Sequence, residues 1–221
     1  MNEDRKDRVT ISLSHFLVEL LDHKVDGYTI RSRSQAVETL LYDALGVHSI
    51  LQAVFLAGGQ SPDTRKDALL STVHTLKQVG IHYLLLITGH WGENLLKHVT
   101  AGELTGISLD LAKSELGDAG ALKENKSRLL GRAHLVVNTP EWPPDLDVAN
   151  LIQFHQTNLK VATVYLTNPE TGEGIYIFSP DIFRYITHES FQMFKSNVFP
   201  ELEKFGLINY YEIPKVEGDI E

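Results

Sequence analysis

Two stretches of the chain carry residue types that could do chemistry. Arg8, Thr10 and Ser12 alternate with apolar residues near its start, and guanidinium and hydroxyl groups can hydrogen-bond to the base edges of DNA. Gly58 and Gly59 end a short apolar run, and glycines placed after a buried strand let backbone amides approach a phosphate group closely. Each stretch is therefore a candidate for binding a partner or a ligand, and the pattern alone is equally typical of an ordinary edge strand or a tight turn.

The first stretch belongs to a small segment with three predicted elements. Residues 8–13 alternate polar and apolar side chains, which predicts a half-buried strand. Ser14 is a good N-cap for a helix that ends near residue 26, and a Ser-x-x-Gln capping box at 32–35 starts a second helix that ends at Gly46. A lone strand has no partner here, and a segment of about 46 residues buries too little surface to be stable alone. A second strand from outside this segment must therefore pair with it.

Two sequences in this segment resemble the ribbon-helix-helix family of DNA-binding proteins: Arg-Val-Thr-Ile-Ser-Leu-Ser at 8–14 and Ser-Arg-Ser-Gln-Ala-Val at 32–37. The resemblance implies a homodimer, or a higher even oligomer, whose paired strands enter the major groove of a palindromic DNA site. It also implies that outward side chains of the strand read base edges and that the start of the second helix holds a phosphate. The DNA-binding residues predicted in this way are Arg8, Thr10, Ser12, Arg31, Ser32, Arg33 and Ser34.

Residues 51–215 alternate short apolar runs with helical patterns, which predicts an α/β domain. The predicted strands are residues 53–57, 83–88, 106–109, 133–137, 160–166, 174–178 and 209–213. The predicted helices are residues 64–79, 93–99 and 148–157, with three more that begin near residues 119, 180 and 197. This order indicates a Rossmann-like, doubly wound and mostly parallel sheet.

Several sequences in this part resemble the nucleotidyltransferases that make nucleotide sugars from a nucleoside triphosphate and a sugar phosphate. Among them are Ala-Val-Phe-Leu-Ala-Gly-Gly at 53–59, Leu-Gly-Asp-Ala-Gly-Ala-Leu at 116–122 and Gly-Ile-Tyr-Ile-Phe-Ser-Pro at 174–180. The resemblance implies a truncated nucleotidyltransferase-type domain with a nucleotide or nucleotide-sugar ligand. The nucleotide-binding residues predicted in this way are Gly58, Gly59, Gly117, Ala119 and Gly120.

Three departures from that family pattern predict an inactive site. The loop after Gly59 passes directly into a helix. Arg65 or Lys66 could substitute for a missing basic residue, but Asp63 and Asp67 flank them, and both basic residues are interpreted as an ordinary solvated helix start. Residues 138–140 are Asn-Thr-Pro, without the aspartate that would hold magnesium, and residues 168–173 form a turn in place of the sugar-binding motifs. We therefore predict no catalytic residue, no metal site and no cofactor.

The composition narrows the kinds of protein that the chain can be. It has no cysteine, which excludes disulfides and cysteine zinc sites. The formal net charge of -9 argues against indiscriminate nucleic-acid binding, because non-specific affinity comes mostly from Lys and Arg that neutralise phosphates. The N-terminus is too charged for a signal peptide, and no apolar run is long enough to cross a bilayer, so we expect a cytoplasmic protein without a membrane partner.

The sequence as a whole predicts a homodimeric transcription regulator. A ribbon-helix-helix unit (β-α-α) at residues 1–46 would bind DNA, and a catalytically inactive nucleotidyltransferase-like domain at residues 51–215 would sense a ligand or mediate assembly. Two alternatives stay open. One is a sugar-phosphate nucleotidyltransferase with an unusual site, in which Asp110, Asp145 or Asp147 holds a metal ion. The other is a dimeric scaffold that does not bind DNA.

Overall fold

The chain is divided into two compact units, Met1–Val47 and His48–Glu221, in the computed structural model. The structure describes residues 9–25, 32–44, 50–58, 62–89, 95, 99–100, 102–186 and 190–213. Within these residues no helix combines the length and the apolar character needed to span a lipid bilayer.

The first unit contains two helices, α1 (His15–Lys24) and α2 (Arg33–Ala44). The Ser14 hydroxyl caps α1 by accepting a hydrogen bond from the Leu17 amide at 3.4 Å, as the sequence predicts. The Arg33 guanidinium donates to both carboxylate oxygens of Asp22, at 2.5 and 2.6 Å, and so joins the two helices. Both predicted helices of this unit are therefore confirmed.

The predicted strand at residues 8–13 is not formed where the structure describes it. Residues 9–14 have no ladder partner, and Val9, Ile11 and Leu13 are exposed by 76%, 53% and 40%. A strand exists only through its hydrogen bonds to a second strand, and no described segment of this chain supplies one. The ribbon-helix-helix prediction is therefore not supported beyond its helices.

The DNA-binding role of the residues named from the sequence stays a prediction, without the strand on which it was based. Thr10 and Ser12 lie in the exposed segment without a strand, and Ser32 and Ser34 are exposed at the start of α2. The Arg33 side chain is engaged with Asp22. Arg8 and Arg31 lie outside the described residues.

The second unit is built around seven strands with helices between them. The strands are β1 (Gln52–Leu56), β2 (Tyr83–Thr88), β3 (Ser108–Lys113), β4 (His134–Asn138), β5 (Ala162–Asn168), β6 (Glu173–Phe178) and β7 (Ile208–Tyr210). The helices are α3 (Pro62–Gln78), α4 (Gly117–Glu124), α5 (Val148–Asn158) and α6 (Phe199–Lys204), with short 3-10 helices at Lys126–Arg128 and Pro180–Arg184 and a π-helix at Phe194–Val198. Most of the predicted helix at 93–99 lies outside the described residues.

The strands form one mixed sheet in the order β3-β2-β1-β4-β6-β5-β7. All neighbouring pairs are parallel except those of β6, which runs antiparallel to β4 and β5. The reversal follows from the tight turn between β5 and β6, where the Asn168 side chain accepts a hydrogen bond from the Glu170 amide at 2.9 Å. The prediction of a mostly parallel sheet is therefore confirmed, with one antiparallel strand that it did not specify.

Both faces of this sheet are covered. Every residue of β1 is buried, with Ala53 and Phe55 in the apolar cluster on one face and Val54 and Leu56 in the cluster on the other. A strand that is apolar throughout is typical of a parallel sheet packed on two sides. The core therefore fixes β1 at the centre of the unit.

The path of the chain through the sheet determines where a ligand can bind. From β1 the chain moves outward to β2 and β3, and it then returns to place β4 on the other side of β1. In open α/β sheets the connections that leave on opposite sides of such a point open a crevice at the carboxyl ends of the strands. The ends of β1 and β4 are therefore the place to look for a site.

Candidate functional site

A cavity of about 680 Å³ lies at this edge of the sheet. Leu56 and Gly58 at the end of β1, Thr88 at the end of β2 and Asn138 at the end of β4 all line it. Its volume is within the range of small-molecule and cofactor sites. The cavity is therefore placed and sized for a ligand of nucleotide dimensions.

Arg65 is the one cation among the described residues that line the cavity. Its side chain is only 3% exposed. Nη1 donates to the Leu56 carbonyl at 3.1 Å and Nη2 to the Gly58 carbonyl at 3.4 Å, whereas Nε has no hydrogen-bond partner. In the described part of the chain no carboxylate forms an ion pair with this guanidinium; burial lowers its pKa, and the negative charge of Glu173 raises it in part. A buried charge of this kind is stabilised by an anion, which the cavity can admit.

Helix α3 brings Arg65 into the cavity because of its position on the helix. Residue 65 shares the buried stripe of α3 with Ala68, Leu69, Thr72, Val73 and Leu76. This i, i+3, i+4 spacing is the pattern of a helix face that packs on a core. The interpretation of Arg65 as part of a solvated helix start was wrong, and the stripe is the sequence signal that could have corrected it.

Asp118, at the start of α4, supplies a partly buried carboxylate to the cavity lining. One oxygen accepts hydrogen bonds from the Ala119 amide at 2.7 Å and the Phe194 amide at 2.6 Å, and the other accepts one from the Asn138 side-chain amide at 2.9 Å. Burial raises the pKa of this carboxyl to about 6, against the lowering effect of these hydrogen bonds. Asp118 thereby ties together α4, the end of β4 and the chain that leads into α6.

The turn between β5 and β6 forms a further part of the cavity wall through Thr171 and Glu173. Gly172, at φ +78°, is required there because a Cβ atom would lie 2.6 Å from the Lys195 Cβ. The buried Tyr176 hydroxyl donates to the Gly172 carbonyl, and burial raises the pKa of this phenol. The short turn is therefore held firmly, although it lacks the longer sugar-binding motifs of the family that it resembles.

Only some of the five predicted nucleotide-binding residues line the cavity. Gly58 and Gly117 line the cavity, whereas Ala119 and Gly120 are buried and do not line it. A Cβ atom on Gly117 would lie 2.4 Å from the Gln192 carbonyl oxygen, so this glycine allows a close approach of chain to chain. Gly59 lies outside the described residues, and the binding role of all five positions stays a prediction.

Other residues considered from the sequence do not reach the cavity. Asp110 pairs with Arg128 at 2.9 Å on an exposed surface, and Asp147 caps α5 through the Ala149 amide at 2.9 Å. Asp145 is exposed and is not part of the cavity lining. The alternative metal ligands named from the sequence are therefore not part of this site.

Solved structures with this fold include nucleotidyltransferases. HddC from Yersinia pseudotuberculosis complexed with GMP-PN has 16% identity and a TM-score of 0.59, with 73% of this chain and 90% of that chain covered. UDP-glucose pyrophosphorylase complexed with UDP-glucose has 10% identity and a TM-score of 0.53, covering 70% and 88% of the two chains. The inositol-1-phosphate CTP transferase from T. maritima has 11% identity and a TM-score of 0.51, covering 74% and 85%.

At such identities the likeness shows the fold, a mixed α/β unit of the nucleotidyltransferase type. Neither a protein-family model nor a curated protein matches the sequence. The structures that match bind nucleotide or nucleotide-sugar ligands, GMP-PN in one and UDP-glucose in another.

Two predictions from the sequence were wrong in this light. The matches favour the alternative of a sugar-phosphate nucleotidyltransferase over a DNA-binding transcription regulator. They also contradict the interpretation of the larger unit as catalytically inactive. The interpretation of Arg65 as part of a solvated helix start left out a buried cation beside Gly58.

Proposed function

We propose that the unit formed by residues 48–221 transfers a nucleotidyl group from a nucleoside triphosphate to a sugar phosphate. The observation that carries this proposal is the buried guanidinium of Arg65, which lines the cavity beside Gly58. It forms no ion pair with a carboxylate in the described residues, although the charge of Glu173, on the same lining, acts on it. Its position at the end of the central strand is where α/β sheets bind phosphate-bearing ligands. The fold supports the same assignment.

The reaction needs positive charge where negative charge accumulates. An oxygen of the sugar phosphate attacks the α-phosphorus and forms a new P–O bond, while the bond from the α-phosphorus to the bridging oxygen breaks and pyrophosphate leaves with both electrons. Arg65 is buried and held by two carbonyl groups, so it stabilises the charge on the phosphates without first reorganising water. Its planar group also suits two phosphate oxygens at once.

Magnesium is the metal that this fold family implies, and the donor set decides whether the chain itself can hold it. Asn138, Thr139 and Pro140 after β4 carry no carboxylate, although Mg²⁺ prefers carboxylate and phosphate oxygens. Asp118 already accepts three hydrogen bonds. In the part of the chain that the structure describes, no three His, Cys, Asp or Glu residues form a metal-binding group. The residues present do not fit a protein-held ion, and the proposal derives no step through one.

The test is a transfer assay on the full chain, with an α-labelled nucleoside triphosphate and a panel of sugar 1-phosphates. We expect the label to move into a nucleotide sugar with release of pyrophosphate. Arg65→Gln should lower the rate by about 100-fold, because it removes a preorganised charge from the reacting phosphates.

The matched control is Lys66→Gln, which changes the neighbouring residue of α3 outside the cavity lining and should leave the rate within about twofold of wild type. Transfer that is unaffected by Arg65→Gln, or no transfer with any member of the panel, would contradict the proposal.

A further inference from the structure

We infer that Phe191 stacks on the base of the bound nucleotide. The inference rests on the proposed function, since it concerns the same cavity, and it assigns a role to a residue that no motif in the sequence singled out. Phe191 is the sole aromatic side chain among the described residues that line the cavity. Its ring is left uncovered, because the residue is 69% exposed.

The segment that carries Phe191 is held rigidly against the start of α4. The Gln192 amide donates to the Leu116 carbonyl at 2.8 Å, and the Gln192 carbonyl accepts from the amides of Ala119 and Gly120 at 3.1 and 3.2 Å. Just beyond it, the Phe194 amide donates to the Asp118 carboxylate at 2.6 Å. These hydrogen bonds fix the backbone next to Phe191, so less of the chain has to be ordered when the ring binds a ligand.

Two glycines make this close contact possible. A Cβ atom on Gly117 would lie 2.4 Å from the Gln192 carbonyl oxygen, and one on Gly120 would lie 2.4 Å from the Ser190 carbonyl oxygen. No side chain fits at either position. The two glycines of α4 therefore allow residues 190–193 to pack directly against this helix at the cavity.

The cavity lining offers a different partner to each part of a nucleotide, a cation for the phosphates and an aromatic ring for the base. The phosphates belong at Arg65, the sole cation of the described lining. The segment that carries Phe191 also contributes Met193 to the lining, and its Phe194 amide binds the Asp118 carboxylate, whose negative charge disfavours a phosphate there. Every base has an apolar π face that stacks on an aromatic ring. The base is therefore the part of the ligand that the Phe191 wall suits.

The experiment measures binding to the full chain by calorimetry with two kinds of probe: the four common nucleoside triphosphates, and inorganic tripolyphosphate, which has no base. Phe191→Ala should weaken binding of the preferred triphosphate by about 5- to 100-fold, the loss that base–aromatic stacking produces. It should leave tripolyphosphate binding unchanged. Arg65→Gln should weaken both probes.

Two further variants keep the test independent of folding. Phe191→Leu retains an apolar side chain without a ring and should behave like Phe191→Ala, whereas Phe191→Trp should bind at least as well as wild type. The added Trp fluorescence should be quenched by the triphosphate and not by tripolyphosphate.

Each outcome bears on a different claim. If the wild type binds the triphosphate and Phe191→Ala binds it equally well, or loses both probes equally, the stacking inference is overturned and the proposed function stands. If the wild type binds neither probe, the proposed function and the inference fail together.

Discussion

The two units of this chain differ in how much of their apolar surface they bury. In the first unit Val9, Phe16, Leu20 and Leu41 are exposed by 76%, 67%, 47% and 53%, and Leu21 and Ala36 are the buried apolar residues that the structure describes there. In the second unit every residue of β1 is buried, and both faces of the sheet carry a large apolar cluster. Regular local patterns occur in both units, but among the described residues a large apolar core is formed only in the second.

The periodicity of apolar residues is enough to predict helices and strands in both units. A ligand site also needs a buried core that holds charged side chains at a cavity. Helices α1 and α2 begin at sound caps, yet their apolar faces meet little of their own unit. The second unit has an apolar core of its own. It can therefore hold Arg65 and Asp118 at a cavity, largely shielded from water, where the local dielectric is low.

The largest effect that would break this comparison comes from truncating one apolar residue in each unit. Phe55→Ala in β1 should lower the free energy of unfolding of its unit by about 3–5 kcal/mol, the usual loss for a buried phenylalanine. Leu17→Ala in α1, at 45% exposure, should change stability by less than about 0.5 kcal/mol. Denaturant unfolding measures both, and similar losses in the two variants would contradict the contrast.

A smaller effect should appear in the pH dependence of stability. The pKa of Asp118 is raised by burial from 3.8 to about 6, so between those values the folded state binds the proton that the unfolded state releases. This carboxyl therefore favours folding increasingly as the pH falls from 7 towards 4, by at most about 3 kcal/mol.

Asp118→Asn should remove that contribution, and the difference in unfolding free energy between wild type and variant should change in the direction just given. The control is Asp145→Asn, an exposed carboxyl that lies away from the cavity. If the difference in unfolding free energy between wild type and Asp118→Asn did not change between pH 4 and 7, the pKa of Asp118 would not be raised by folding.

The smallest effect is expected for the ion pair that joins α1 and α2. Arg33 lowers the pKa of Asp22 by hydrogen bonding, but both side chains are largely exposed. Exposed pairs of this kind contribute little. Arg33→Ala should therefore leave the unfolding midpoint of the full chain within experimental error, and a clear fall in that midpoint would mean that the first unit has more cohesion than its burial indicates.

Much of the larger unit could be predicted from the sequence, because its strands are fully apolar. β1 and β2 appear at 52–56 and 83–88, within a residue of their predicted positions. The antiparallel direction of β6 was not specified, although the short turn at Asn168 carries that information. The predicted strand at 8–13 was the opposite case, since its pattern is real but its formation depends on a second strand.

The site was harder to predict, for two physical reasons. Arg65 follows the buried stripe of α3, but a charged residue on such a stripe is commonly assigned to solvent. Phe191 and Asp118 come together only through the backbone hydrogen bonds between Gln192 and α4, which connect parts of the chain far apart in sequence. No local pattern reports a contact of that kind.

The most direct test of this account is a crystal structure of the full chain with a nucleoside triphosphate. The account predicts phosphate oxygens within about 3 Å of the Arg65 guanidinium nitrogens, with the base against Phe191. A triphosphate bound elsewhere, with Arg65 still donating only to the Leu56 and Gly58 carbonyls, would contradict the assignment of this cavity.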